Sequence, residues 1–339
     1  MFVGHEFLAF ALAGTLTRLT GRDARTALFA GGVAALCALL PDLDVAYGFA
    51  TYLLAVADGT TLSWDAFWGV TNGVHRVVTH PLPVGAAATL CFAAAVAIVP
   101  ARGRGKETRM QNRTPHGLLI HTTLAVVASV VAAAVIWAMA RVSSESAAVV
   151  AATYLGTVCV VGAAVGRRFG KESRLGIGTP TLAFAAGVGF LTHPFGDVLM
   201  AAPPPLFAPA APSPLTDRVV FSADETVNLL NILFVEVATV WAGLFTYLRL
   251  TGHRLRDAFA GRAVVGVGYA AAAFVLPRPT MVDAHYLGFT VVPLAVVVGA
   301  TAFGRGATSR RMRAVRALTT GLATLTIAAV AYLVAYLLI

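Results

Sequence analysis

Ten apolar runs, each close to the length of a membrane-crossing helix, dominate this sequence. They fall at roughly 4–20, 24–41, 81–100, 116–140, 146–166, 178–200, 227–249, 262–277, 284–303 and 317–338. The hydrocarbon core of a bilayer requires about 20 apolar residues per helix. Only 12% of the residues are charged, about half of the share that a soluble domain carries. We therefore expect an all-α polytopic membrane protein with about ten transmembrane helices.

The basic residues are concentrated in alternate loops between these runs. Of the 25 Lys and Arg residues, all but four lie near 18–25, 102–113, 167–174, 249–262 and 305–316. The other loops are acidic. By the positive-inside rule the basic loops are cytoplasmic, so ten spans place both termini on the extracytoplasmic side of the plasma (inner) membrane. The net charge of +9 is then a topology signal, and no nucleic-acid partner is expected.

Two external segments differ from ordinary short loops. Residues 45–74 are rich in aromatic side chains, which is typical of a helix lying in the membrane interface. Residues 201–226 form a Pro-rich external loop that cannot be helical throughout. A loop of this length is often a lid or a wall of a site, and a simple connector is an equal alternative.

Histidine and aspartate residues collect at the outer ends of four of the predicted helices. They are His5, Asp42, Asp44, His75, His80, His193 and Asp197. A lone carboxylate against an apolar run is costly, and shared coordination of a metal ion would offset that cost. Imidazole and carboxylate ligands favour zinc, with manganese or iron as alternatives. The pattern therefore predicts a divalent metal site on the extracytoplasmic side.

The spacing of two pairs fits such a site. His193 and Asp197 are four residues apart, so a helix places both on one face. Asp42 and Asp44 are two apart, which fails on a helix but works where Pro41 ends the helix and the chain turns.

The third pair requires a break in the helix. His75 and His80 converge only if the chain leaves the helix before Pro81, and the prolines that follow favour such a break. A small repeat accompanies this region, because the tripeptide Thr-His-Pro occurs at 79–81 and again at 192–194.

These residues resemble the family of LexA-regulated, inner-membrane, metal-dependent hydrolases. The matching elements are His5, Pro-Asp-x-Asp at 41–44, His-Arg-x-x-Thr-His at 75–80 and His-x-x-x-Asp at 193–197, followed by a Pro-rich stretch. That family is similar in fold to zinc phospholipase C and P1 nuclease. The resemblance covers roughly residues 1–210. It implies a hydrolase-like domain over 1–226, with helices four and five inserted at 101–177, and a four-helix membrane extension over 227–339.

The resemblance implies a phosphoesterase. Since the site would open at headgroup depth on the outer face of the lipid bilayer, we expect a phospholipid or a lipid-linked phosphate as its substrate. The expected metal ligands are His5, Asp42, His75, His80, His193 and Asp197. Asp44 and Arg76 are the expected catalytic residues. Asp44 would be a ligand, a general base or a partner that orients a histidine. Arg76 would hold a substrate phosphate, or else simply pair with Asp42 or Asp44.

Two other functions stay open at this point. A divalent-cation transporter or channel would use the same ligands and would need ionisable residues that continue across the membrane. Glu236 and His121 lie within apolar runs and are candidates for such a pathway. A non-catalytic membrane assembly protein would carry the pattern without binding metal.

Overall fold

Helices form almost all of the chain that the structure describes. The computed structural model describes residues 3–71, 75–99, 115–171, 177–199, 203–303 and 309–339, and no β-strand occurs within these ranges. The α-helices are α1 (Gly4–Leu19), α2 (Ala24–Leu39), α3 (Asp44–Ala57), α4 (Trp64–Thr71), α5 (Leu82–Ile98), α6 (Pro115–Val142), α7 (Glu145–Lys171), α8 (Thr179–Thr192), α9 (Pro194–Asp197), α10 (Glu225–Leu250), α11 (Leu255–Ala258), α12 (Ala272–Val275), α13 (Ala284–Ala302) and α14 (Arg310–Leu338). Two 3-10 helices cover Pro41–Leu43 and Gly261–Ala271.

Six helical segments among the described residues are long and apolar enough to cross a membrane. They are Ala24–Ala57, Gly117–Val142, Glu145–Arg168, Glu225–Leu250, Ala284–Ala302 and Arg310–Leu338. The prediction of an all-helical chain with several membrane spans is confirmed, but the number of ten is not. The apolar runs at 4–20 and 178–200 give helices of only 16 and 14 residues. The second of these is separated at His193 from the four-residue helix Pro194–Asp197, because Pro194 has no N–H to bond the carbonyl of Phe190.

The chain divides into two compact units. The larger unit is Leu12–Arg218, and the smaller unit combines Met1–Ala11 with Val219–Ile339. In the larger unit, α8 packs against α2 and α5, and α5 also packs against α6 and α7. Gly189 of α8 permits the close approach to α2, because a Cβ atom there would overlap the carbonyl of Ala34. This contact lies near the last turn of both helices, so their C-terminal ends are neighbours.

In the smaller unit, the long helix α14 is the central packing element. It contacts α10, α13 and the 3-10 helix Gly261–Ala271. Leu230, Val291 and Tyr332 are buried together and form part of the core.

Glu236, which lies within the apolar helix α10, caps the start of α1. Its Oε1 accepts hydrogen bonds from the backbone N–H groups of Val3 (2.8 Å) and Gly4 (2.9 Å). The first N–H groups of a helix have no intrahelical acceptor, and a negative charge there is favourable. This carboxylate therefore has a structural partner within the smaller unit.

The aromatic segment after α2 forms two helices, α3 and α4, rather than one. The Tyr52 hydroxyl donates to the carbonyl of Ser63 (3.0 Å) and accepts from its N–H (2.9 Å). Phe67 packs edge-on against Tyr52, with ring centroids 5.4 Å apart. The aromatic side chains therefore contribute to the packing of α3 against α4, and their interfacial location stays a prediction.

Candidate metal centre

The regular α-helix is interrupted at Pro41, where the sequence predicts its end. Helix α2 ends at Leu39, and a 3-10 turn over Pro41–Leu43 carries Asp42. Proline cannot donate a backbone hydrogen bond, so it ends one helix and suits the first position of the next. Asp44 then begins α3. Asp42 and Asp44 therefore do not lie within one regular α-helix.

Residues 75–81 are not helical, so the predicted break before α5 is present. Within this segment Arg76 has a φ of 71°, in the left-handed region. That conformation is uncommon for a residue other than glycine and costs about 1 kcal/mol or more. The irregular path brings the rings of His75 and His80 together, with centroids 5.3 Å apart.

His193 and Asp197 occupy the junction between α8 and α9. The backbone at His193 stays helical, with φ −53° and ψ −49°, so the two residues remain on one face. His193 Nε2 lies 4.0 Å from Asp197 Oδ2. The shared face that the four-residue spacing predicts is therefore present.

Four side chains bring their ligand atoms to one point. The four atoms lie within 4.8 Å of one another and come from Asp42, His80, His193 and Asp197. His80 Nε2 is 3.0 Å from both His193 Nε2 and Asp197 Oδ2. Asp42 Oδ1 is 3.4 Å from Nε2 of each histidine. Neighbouring ligands in a tetrahedral site with ~2.0–2.1 Å bonds are about 3.3 Å apart. The separations of 3.0–3.4 Å lie around this value, whereas His193 Nε2 and Asp197 Oδ2 are 4.0 Å apart. The group could therefore hold a metal ion.

The group is almost closed to solvent. His193, His80 and Asp197 are 0%, 1% and 2% exposed, whereas the Asp42 side chain is 28% exposed. Two neighbouring carboxylates in such a place are costly without positive charge beside them. The Arg76 guanidinium lies 3.7 Å from Asp197 Oδ1 and supplies part of that charge. A divalent ion, or protons on the histidines, would supply the rest. Solvent reaches the group at Asp42.

The His80 ring holds a proton tightly when no ion is bound. Burial opposes the charged ring, but hydrogen bonds to Asp197 and Asp42 outweigh it and raise the pKa of His80 to about 9. A metal ion binds the deprotonated nitrogen, so it must displace this proton. We expect zinc affinity, measured by titration against a competing chelator, to rise about tenfold per pH unit up to about pH 9.

The stability of the metal-free protein should change in the opposite direction and fall as the pH rises. Because the pKa of His80 is raised in the folded state, its stabilising contribution is complete below about pH 6.5 and is lost as the pH rises through about 9. The free energy of unfolding, measured in a chelator across this pH range, tests the effect.

For the zinc titration, an affinity that does not change with pH would contradict the expected displacement of a proton from His80.

Asp44 and His75 form a separate pair beside the group. Asp44 Oδ1 is 2.7 Å from His75 Nδ1, with the His75 and Asp44 side chains 5% and 1% exposed. Neither contributes to the four clustered ligand atoms. Asp44 Oδ2 also accepts a hydrogen bond from the Thr79 hydroxyl at 2.6 Å. The ligand role of His75 and the catalytic role of Asp44 stay predictions, and the contacts of Asp44 suit a partner that orients a histidine.

Arg76 lies beside the group. Its guanidinium is 3.7 Å from Asp197 Oδ1, and its backbone N–H is 3.4 Å from Asp44 Oδ2. The side-chain ion pair is thus with Asp197 rather than with Asp42 or Asp44.

His5 is buried and belongs to the smaller unit. Its predicted role as a metal ligand stays a prediction.

Thr79 is a residue that the reasoning from sequence missed. Its hydroxyl is 2.8 Å from His80 Nδ1. The repeated Thr-His-Pro tripeptide was a signal for Thr79, but the threonines of the two copies make different contacts. The Thr192 hydroxyl instead donates to the carbonyl of Val188, one turn earlier in α8, at 2.7 Å.

The Pro-rich segment packs against the chain that carries His80. The carbonyl of Leu206 accepts a hydrogen bond from the backbone N–H of Leu82, the first residue of α5, at 2.8 Å. Leu206 itself is buried. The segment is therefore attached to the start of α5, two residues after His80.

Helical spans and a buried His/Asp group together define a polytopic membrane protein that could hold a metal ion. Residues 1–279 match the family described as "YdjM inner membrane protein". The chain therefore belongs to the YdjM inner membrane protein family, and the match includes all four members of the group. Comparison with curated proteins and with solved structures found no match.

Proposed function

We propose that this protein is a membrane-bound, metal-dependent phosphoesterase that acts on a phospholipid or a lipid-linked phosphate at the extracytoplasmic face. The convergence of four ligand atoms from Asp42, His80, His193 and Asp197 carries this proposal. Among zinc, manganese and iron, the number and spacing of these atoms favour zinc, which prefers four tetrahedral ligands.

The four side chains would hold the ion, three of them from the buried side and one from the side that faces solvent. His80 and His193 present Nε2 from the buried side, while Asp42 borders solvent. Four protein ligands fill a tetrahedral site, so catalysis would require the ion to take a fifth ligand or the exposed Asp42 to give up its place. Water in that position would have its pKa lowered toward ~7, and the ion would polarise a phosphoryl oxygen. Because Asp42 is the exposed member, a substrate phosphate would approach from its side.

Arg76 is the candidate phosphate-binding residue. Its side chain is 16% exposed and its guanidinium lies 3.7 Å from Asp197 Oδ1, close enough to the group to contact a phosphate that reaches the ion. Guanidinium groups bind phosphate oxygens through paired hydrogen bonds. The left-handed backbone at this residue is a conformation often found at functional sites.

We place the site at headgroup depth on the outer side. This placement is inferred from the sequence, by the positive-inside rule applied to the ten predicted spans with both termini extracytoplasmic. Residues 1–226 would then form the hydrolase-like domain and 227–339 the membrane extension. A lipid-borne phosphate is the substrate class that such a position favours.

The transport alternative loses much of its support. Glu236 was its main candidate for a pathway residue, and this carboxylate accepts two backbone N–H groups at the start of α1. His121 alone does not make a pathway across the membrane. The observations on this chain therefore favour an enzyme over a transporter.

Metal analysis of the purified protein, together with a phosphoester panel, tests the proposal. We expect stoichiometric zinc and hydrolysis of at least one phosphoester, lost with a chelator and restored by zinc. Liposome flux is measured in parallel. Protein that holds no metal would indicate the assembly function, and zinc-dependent flux without hydrolysis would indicate transport.

A further inference from the structure

We propose that Thr79 is the positioning residue of the metal centre, selecting which nitrogen of His80 faces the ion. This inference rests on the proposed metal site and assigns a residue outside the ligand set. It concerns three buried groups in a row: the Asp44 carboxylate, the Thr79 hydroxyl and the His80 imidazole. Thr79 is 2% exposed, so water does not compete for these hydrogen bonds.

The direction of both hydrogen bonds follows from the number of protons available. A threonine hydroxyl has one proton, and an ionised carboxylate only accepts. Since Thr79 Oγ1 lies 2.6 Å from Asp44 Oδ2, the hydroxyl donates to Asp44. It must then accept from His80 Nδ1, at 2.8 Å, so Nδ1 carries a hydrogen.

This arrangement determines the chemistry of the other ring nitrogen. With Nδ1 protonated, the nitrogen of a neutral His80 that can bind metal is Nε2. That atom faces Asp197 Oδ2 at 3.0 Å and His193 Nε2 at 3.0 Å. Partners on the second nitrogen of a ligating histidine orient the ring, and their loss typically weakens metal binding 10–100-fold. Asp44 acts on His80 through Thr79. Its carboxylate accepts the Thr79 hydroxyl proton, so the hydroxyl oxygen accepts from His80 Nδ1.

The chain contains a matched control for this role. Thr192 precedes His193 as Thr79 precedes His80, and both histidines belong to the ligand group. Yet the Thr192 hydroxyl donates to the carbonyl of Val188 in its own helix, at 2.7 Å. Replacing either threonine with valine exchanges the hydroxyl for a methyl group of similar size. The Thr79 hydroxyl contacts an imidazole, whereas the Thr192 hydroxyl contacts a backbone carbonyl.

The experiment compares Thr79→Val, Thr79→Ser and Thr192→Val in the full-length protein in detergent. Zinc affinity is measured by chelator competition, and the visible absorption of the cobalt-substituted protein reports the ligand geometry. We expect Thr79→Val to bind zinc about 10–100-fold more weakly and to lose its tetrahedral cobalt spectrum. Thr79→Ser, which keeps the hydroxyl, should restore both, and Thr192→Val should match the wild type.

The outcomes separate this inference from the proposed function. If the wild type binds no zinc, the metal site itself is wrong. If the wild type binds zinc and Thr79→Val binds it as tightly, the positioning role of Thr79 is wrong. Nitrogen-15 histidine NMR of the zinc-loaded wild type gives a second test that needs no variant. A His80 ring protonated at Nε2 and bare at Nδ1 would overturn the inference.

Discussion

Replacing His193 with alanine is expected to lower zinc affinity by at least about a hundredfold and to reduce phosphoesterase activity to background. His193 is fully buried, and its Nε2 faces both His80 Nε2 (3.0 Å) and Asp42 Oδ1 (3.4 Å). Its loss leaves three ligands and a cavity in place of the fourth. A missing ligand should cost more than the 10–100-fold typical of an outer partner. Chelator competition and initial rates measure the two effects.

His285→Ala is the matched control for this prediction. His285 is exposed on α13, where its ring lies 4.3 Å from that of Tyr286, and it belongs to the smaller unit. Its removal should change neither zinc affinity nor activity. Full zinc content and full activity in His193→Ala would rule out the four-ligand centre.

Replacing Asp44 with alanine is expected to lower the free energy of unfolding by about 3–5 kcal/mol, measured in a chelator. The side chain is 1% exposed and accepts from His75 at 2.7 Å and Thr79 at 2.6 Å. Its removal leaves these buried donors without their acceptor, and each such group costs about 1–3 kcal/mol. Asp44→Asn keeps an acceptor oxygen, so its cost should be smaller.

The same substitution should also weaken zinc binding. Without Asp44, the Thr79 hydroxyl is able to donate to His80 Nδ1 and so to favour the ring form that binds metal poorly through Nε2. Asp58→Ala is the control, since Asp58 is exposed at the end of α3. Equal stability of Asp44→Ala and Asp58→Ala in an unfolding titration would argue against the buried network.

Much of the fold was predictable because it depends on local chemistry. Long apolar stretches must become helices in a bilayer, since every backbone group there needs an internal partner. Pro41 follows the end of α2, and Pro81 directly precedes the start of α5. Both positions follow from proline chemistry, because proline lacks a backbone donor and restricts the residue before it. The number of spans was harder to predict. Apolar character continues through 178–200, but the regular helix ends at Thr192.

The sequence predicted the residue types of the candidate site and the shared face of His193 and Asp197, but it did not predict which of the seven residues cluster. All four members of the group were among the predicted ligands. His75 was also assigned as a ligand, yet it pairs with Asp44 outside the clustered atoms. Residues 75–81 follow an irregular path with a left-handed Arg76, and irregular backbone has no periodicity from which side-chain direction can be inferred.

The sequence by itself determined that this is a helical membrane protein with histidine and aspartate at helix ends, because apolar length and residue type are properties of single segments. Only the tertiary structure decided which of those residues meet. The close packing of α2 and α8 at Gly189 brings the turn at Asp42 to the end of the helix that precedes His193. The hydroxyl of Thr79, which no spacing rule singled out, then lies between Asp44 and His80, because hydrogen-bond partners far apart in sequence depend on the folded path of the chain.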